Sequence, residues 1–201
     1  MTDAHTHHSV PSGVVGIQNV RFGVDEKTII DNLYSVGIHP WDAHKNVDWN
    51  SFEQLARQSV AIGECGLDKN SRATITEQLQ VFEYQTQLAT QIGKPVIVHC
   101  VRAYGYLLQA SIKQKGHSPW LVHGCYASTE WIAEATKQDF YFSVGPKQLK
   151  MPRISEILQT IPPNKLLLET DDSGEDIKKV YAFLNVDEQR IDDNFNCFFC
   201  L

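Results

Sequence analysis

No apolar run in this chain approaches the ~18 consecutive residues that a membrane-spanning helix needs. The polar opening Met1-Thr2-Asp3-Ala4-His5 lacks the basic and apolar regions of a secretory signal. A cytoplasmic protein with no membrane partner is expected. Basic excess is also missing: the net charge of -6 argues against a surface coated in cations for nucleic acid, although it leaves room for a local patch. Cysteine is sparse and odd in number, five in 201 residues, without the spacing of a small disulfide-stapled scaffold, so free thiols in a reducing compartment are expected. Low-complexity tracts, tandem repeats and Pro/Gly-rich linkers are absent. With 42% hydrophobic and 21% charged residues and no shift in composition, residues 1–201 read as a single domain around one core, with no obligate protein partner evident.

What is present is an alternation of patterns. Short β-branched apolar runs at 2–7, 14–20, 34–39, 60–66, 95–101, 120–124, 140–144 and 165–170 predict eight strands. Helical periodicity lies between many of them, clearest over 75–92, where Leu79, Phe82, Leu88 and Ile92 recur among glutamines and threonines, and again over 103–115 and 129–137. Strand followed by helix implies right-handed crossovers and a mostly parallel sheet, and eight such units predict an α/β TIM-like (β/α)8 barrel. The chain is shorter than the ~250 residues typical of that architecture, so trimmed helices are expected near the N-terminus. Only residues 8–13 separate the first two strands, whereas a parallel crossover usually takes about a dozen residues. Two expectations follow there, an antiparallel second strand or a distorted barrel.

Six metal-ligand types stand at or just past the ends of these runs: His5, His7, Glu64, His99, His123 and Asp171. In a parallel barrel the strand ends converge on one mouth, which makes ligands scattered along a sequence useful. His5 and His7 are two apart on a strand, so both side chains point to one face. Glu64 follows Val60-Ala61-Ile62-Gly63, and a carboxylate buried there needs a cation as partner, either a metal or an Arg or Lys side chain. Singly, His99 and His123 read as hydrogen-bonded core histidines and Asp171 as a helix cap; together, four imidazoles and two carboxylates at strand termini favour a catalytic metal site.

The blocks His5-Thr6-His7, Gly37-Ile38-His39-Pro40, Ile62-Gly63-Glu64-Cys65-Gly66-Leu67-Asp68, Pro95-Val96-Ile97-Val98-His99, His123 and Leu168-Glu169-Thr170-Asp171 resemble, in order and over nearly the whole chain, the TatD family of metal-dependent deoxyribonucleases within the amidohydrolase superfamily. The Glu64 and Asp171 blocks are the specific ones. The resemblance implies two divalent ions (zinc, manganese, magnesium or nickel), one on His5, His7 and Asp171, the other on His99 and His123, with Glu64 bridging. It also implies hydrolysis of phosphodiester bonds by a metal-activated water that Asp171 orients or deprotonates, most plausibly at the ends of single-stranded DNA. His39 is similar to the family's phosphate-contacting histidine, Glu169 shares strand parity with Asp171, and Arg102 is placed to clamp phosphate oxygens.

Three departures from the family pattern bear on substrate: Cys100-Val101-Arg102 displaces the arginine by one position, Asp172-Ser173-Gly174 follows Asp171, and a first helical segment is missing. Lys69, Arg72, Arg102, Lys147, Lys150 and Arg153 flank loops on the expected catalytic face, a mild cationic bias that Asp172, Glu175 and Asp176 oppose. Trp41 and Tyr126 are candidates for base stacking or for rim packing. Cys65 and Cys100 follow ligands and should face the helices as inert thiols, while Cys197 and Cys200 are expected to pack a terminal helix. Two other functions fit the same ligands: hydrolysis of a small amide or ester, and a non-catalytic metal-binding scaffold. Glu64, in the bridging place that a carbamylated lysine commonly takes in amide-hydrolysing relatives, favours the phosphodiesterase.

Overall fold

Strands and helices alternate through residues 1–25 and 33–201, the residues that this computed structural model describes. The strands are β1 (Thr2–Thr6), β2 (Val15–Arg21), β3 (Tyr34–Gly37), β4 (Ala61–Asp68), β5 (Val96–Val101), β6 (Trp120–Val122), β7 (Phe140–Val144) and β8 (Leu166–Leu168), and their order in the sheet follows the chain. The helices are α1 (Trp49–Gln58), α2 (Ile75–Ile92), α3 (Tyr104–Lys113), α4 (Thr129–Thr136), the short α5 (Pro146–Leu149), α6 (Ile154–Thr160), α7 (Ile177–Leu184) and α8 (Glu188–Phe199). This is the element order of a (β/α)8 barrel. Among the described residues, no helix is long and apolar enough to cross a membrane.

The chain divides into two compact units, one of Met1–Gln18 with Leu121–Leu201 and one of Asn19–Trp120. In the first, β1 and β2 pair in parallel, Thr2 opposite Val15 and Thr6 opposite Gln18, with a register shift after Asp3. The antiparallel alternative is therefore wrong, and the expected irregularity is a bulge. Residues 7–14 complete the reversal with a turn closed by Val14 N–H on the Pro11 carbonyl, in place of a helix. Thr6 bridges Asp171 in parallel, and β7 pairs with β8. Phe140, Phe142, Phe195 and Phe198 fill this unit's core, each contributing roughly 1.5–3 kcal/mol by leaving water.

In the second unit every residue of β4 is buried, between β3 and β5. Such close strands leave room only for glycine at three points; a Cβ on Gly66, whose φ is +144°, would sit 2.1 Å from the His99 carbonyl oxygen. Helix α2 has the predicted boundaries because Thr74 and Glu77 form a reciprocal capping box and Gly93 takes the left-handed conformation at its end. Its buried face differs from the periodicity. Gln78 and Gln85 are buried with Phe82 and Leu88, where the sequence read the glutamines as the polar side. Gln85 accepts from Ile38 N–H and donates to the Ile38 carbonyl; Gln78 accepts from Asp68 N–H and donates to the Asp68 and Ala73 carbonyls. The two amides thus tie down backbone at the ends of β3 and β4, next to His39 and beneath Asp68.

Helix α1 ends on a side chain from elsewhere in its unit. Lys94 Nζ donates to the carbonyls of Ala56 (3.0 Å), Arg57 (2.7 Å) and Ser59, neutralising the negative end of the helix. Lys94→Met is expected to lower stability by about 1–2 kcal/mol in urea unfolding, from the lost charge-assisted bonds.

Candidate active site

In the first unit, β1 delivers His5 and His7 and the turn after β8 delivers Asp171. Backbone bonds hold them together: Asp171 N–H donates to the His5 carbonyl (2.9 Å) and His7 N–H to the Asp171 carbonyl (3.0 Å). Asp171 sits at φ +53°, a conformation that non-glycine residues seldom adopt and that these two bonds maintain. Its Oδ1 lies 3.7 Å from His5 Nε2 and 3.5 Å from His7 Nε2. The rings of His5 and His123 are 4.4 Å apart, and His123 Nδ1 is 3.7 Å from Glu169 Oε1, whose other oxygen accepts from Ser143 Oγ. Two overlapping donor sets result, His5–His7–Asp171 and His123–Glu169–Asp171, the donor atoms within each lying within 4.8 Å of one another.

Asp3 lies beneath this cluster and was not read from the sequence as part of it. Its carboxylate accepts from Thr170 Oγ1 (2.6 Å) and Thr170 N–H (3.0 Å), which joins β1 to the Glu169-Thr170-Asp171 segment. Burial pushes its pKa up to about 7 against the opposing effect of the Thr170 bonds. Lys147 bonds Asp171 Oδ2 (3.1 Å) and Asp172 (2.5 Å).

In the second unit, Glu64 is the hub. Its backbone N–H donates to Asn19 Oδ1 (2.8 Å), and its Oε1 meets His99 Nδ1 at 2.6 Å and His39 Nε2 at 3.4 Å. His39, Glu64 and His99 form a third donor set within the same 4.8 Å limit. His39 caps the 3₁₀ turn Pro40–Asp42, its Nδ1 accepting from Trp41 N–H, so in the neutral ring the proton lies on Nε2. Burial lowers the His39 pKa against the opposing pull of Glu64, which favours that neutral ring. Asp68 completes the network, accepting from Trp41 Nε1 (2.7 Å) with His99 Nε2 at 3.4 Å. Burial opposes its ionisation, but the bonds from His99 and Trp41 prevail and hold its carboxyl at about 2.

Other expectations fare unevenly. Arg102 is exposed at φ +55° after β5, with no ion pair among the described residues. The cationic bias is largely spent internally: Lys147 pairs with Asp171 and Asp172, Lys150 with Glu175 and Arg153 with Glu156. Lys69 lies over the Tyr106 ring, and Tyr126 donates to the Pro152 carbonyl. Cys65 and Cys100 are buried, with the Cys65 thiol pushed up by burial. Cys197 and Cys200 are exposed instead of packed; Phe198 and Phe199 between them take the buried face of α8.

The family model described as TatD related DNase matches residues 24–179. The chain belongs to the TatD-related family. The 3'-5' ssDNA/RNA exonuclease TatD of Edwardsiella piscicida is 35% identical over 150 residues, covering 68% of this chain and 56% of that protein. An uncharacterized metal-dependent hydrolase of Bacillus subtilis, YabD, is 31% identical over 153 residues, 70% of this chain and 59% of its own. The chain spans just over half the length of these curated TatD relatives. Among solved structures, the TatD homologue YJJV of Escherichia coli K12 superposes with a TM-score of 0.79 at 21% identity, covering 100% of this chain and 98% of that one. The fold is thus the TIM-like (β/α)8 barrel that the strand count predicts.

Proposed function

We propose that this protein is a divalent-metal-dependent phosphodiesterase that releases nucleotides from the ends of single-stranded DNA. The observation that carries the reading is the presence, in a TatD-family chain, of imidazole and carboxylate donors gathered within 4.8 Å at strand ends in both units. The name of the Edwardsiella piscicida relative supports the substrate class. Imidazole mixed with carboxylate fits zinc, manganese or nickel, and magnesium less tightly. His5, His7 and Asp171 would hold one ion and His99 and His123 the other; the sharing of Glu64 between them rests on the family resemblance. When bound, such ions acidify water and offset the negative charge that builds on a phosphate in transition.

The protein's own groups divide the remaining work. Asp171, fixed by two backbone bonds, is placed to orient water or accept its proton. His39, with its Nε2 proton directed outward from the cap, is a donor for a phosphate oxygen, as is the exposed Arg102 guanidinium. Glu169 is proposed to set the orientation of His123. Replacing Arg102 with Ala should raise the KM for single-stranded DNA several-fold and make its logarithmic salt dependence shallower by about 0.7 for each phosphate released. An unchanged salt slope would remove Arg102 from the substrate contacts.

The reading is tested by offering the manganese-loaded protein a single-stranded oligonucleotide beside a panel of small cyclic amides and esters. Nucleotide release with no turnover of the panel supports it. Turnover confined to the panel would make the protein a small-molecule hydrolase, and no turnover of either, with metal bound, a scaffold.

A further inference from the structure

Of the four tryptophans, Trp41 alone is exposed, at 50%, yet it is not loose. Its indole N–H is fixed on Asp68 Oδ2 at 2.7 Å, its backbone N–H on His39 Nδ1 at 3.2 Å, and Ser71 Oγ anchors the preceding Pro40 carbonyl at 3.0 Å. Asp42, next in the turn, is clamped by Arg21 and Lys45, and the Arg21 guanidinium lies 5.6 Å from the Trp41 ring centre. Proline, caps and ion pairs thus hold a large aromatic surface still while half of it stays in water. An immobilised exposed ring costs little further entropy when a flat partner stacks on it.

Two neighbours identify that partner. The same Asp68 oxygen that fixes Trp41 lies 3.4 Å from His99 Nε2, and the Trp41 and His99 rings are 6.4 Å apart, so whatever stacks on Trp41 is held beside the His39–Glu64–His99 donor set. Trp41 also lines a cleft of roughly 400 Å3 with His44, Lys45, Asn70 and Arg72. These residues offer cations and hydrogen-bonding groups at the edge of an aromatic face, the combination that holds single strands by stacking with backbone contacts. Arg72 is exposed and has no ion pair among the described residues.

We propose that Trp41 is the stacking platform for a terminal base of the single strand, making base presence, not base identity, a determinant of substrate choice. This rests on the nuclease reading and adds to it the residue that senses a base. Stacking of this kind changes affinity by about 5- to 150-fold per base.

The test uses oligonucleotides carrying either a base or an abasic residue at each terminus in turn, and reads the ratio of kcat/KM between them. Wild-type protein is expected to favour the base-bearing strand at the attacked end by at least about fivefold. Trp41→Ala should bring the ratio near one, and Trp41→Phe should retain most of it. A wild-type ratio near one, or an unchanged ratio in Trp41→Ala, overturns the proposal. So does a Phe variant that behaves like Ala, because the role would then belong to the indole bond to Asp68. If no oligonucleotide is cleaved, the nuclease reading fails separately. The same ratio is then read as dissociation constants from anisotropy of labelled strands in EDTA, under the same criteria.

Discussion

Glu64→Ala is expected to remove at least one divalent ion from each chain and to abolish hydrolysis. Glu64 is buried, its Oε1 faces both His99 and His39, and its backbone is pinned by Asn19, so no neighbouring carboxylate can swing into its place. Truncation would leave two imidazoles without the negative charge that makes the set attractive to a cation. Metal analysis of the purified variant, with circular dichroism to show that it is folded, checks this. Two ions still bound would defeat the assignment of Glu64 as a shared ligand.

Gly66→Ala is the largest expected effect on stability, about 4 kcal/mol or more in urea unfolding. At φ +144° any side chain is strained, and the new Cβ would overlap the His99 carbonyl across the β4–β5 pairing. The clash is with backbone, so relief requires moving β5 and with it the His99 ring, and residual activity should fall more than the population of folded protein. Gly105→Ala supplies the contrast. A Cβ at Gly105 would meet nothing within 4 Å and the residue is in α3, so that change should be neutral or stabilising by up to ~1 kcal/mol. Equal behaviour of the two variants would show that strand proximity around Gly66 is not the constraint described.

The strands were legible because a buried parallel strand writes itself as a β-branched run, and α2 because Gly93 ends a clear periodicity. The direction of β2 was not, since typical crossover lengths argue against a parallel partner reached through residues 7–14. Nor were Gln78 and Gln85, whose burial depends on which carbonyls and amides lie opposite them in space. The same holds for the site. His5, His7, Glu64, His99, His123 and Asp171 stand out because carboxylates and imidazoles at strand ends are unusual. Asp3 and Asp68 read as ordinary polar residues, and only the geometry shows one tied to Thr170 and the other joining Trp41 to His99. The cationic bias misled because pairs such as Lys150–Glu175 form between loops far apart in sequence. At the C-terminus, the period of α8 turns the phenylalanines inward and Cys197 and Cys200 outward, which composition alone does not reveal.

The most direct measurement is nucleotide release from end-labelled single-stranded DNA with added manganese, run beside chelated protein and the Asp171→Asn variant. The account predicts release that requires the metal and disappears in the variant while its fold and its stability persist, the labelled end giving the direction of digestion. Release that survives chelation or the Asp171 change, or no release from protein shown to hold metal, would contradict it.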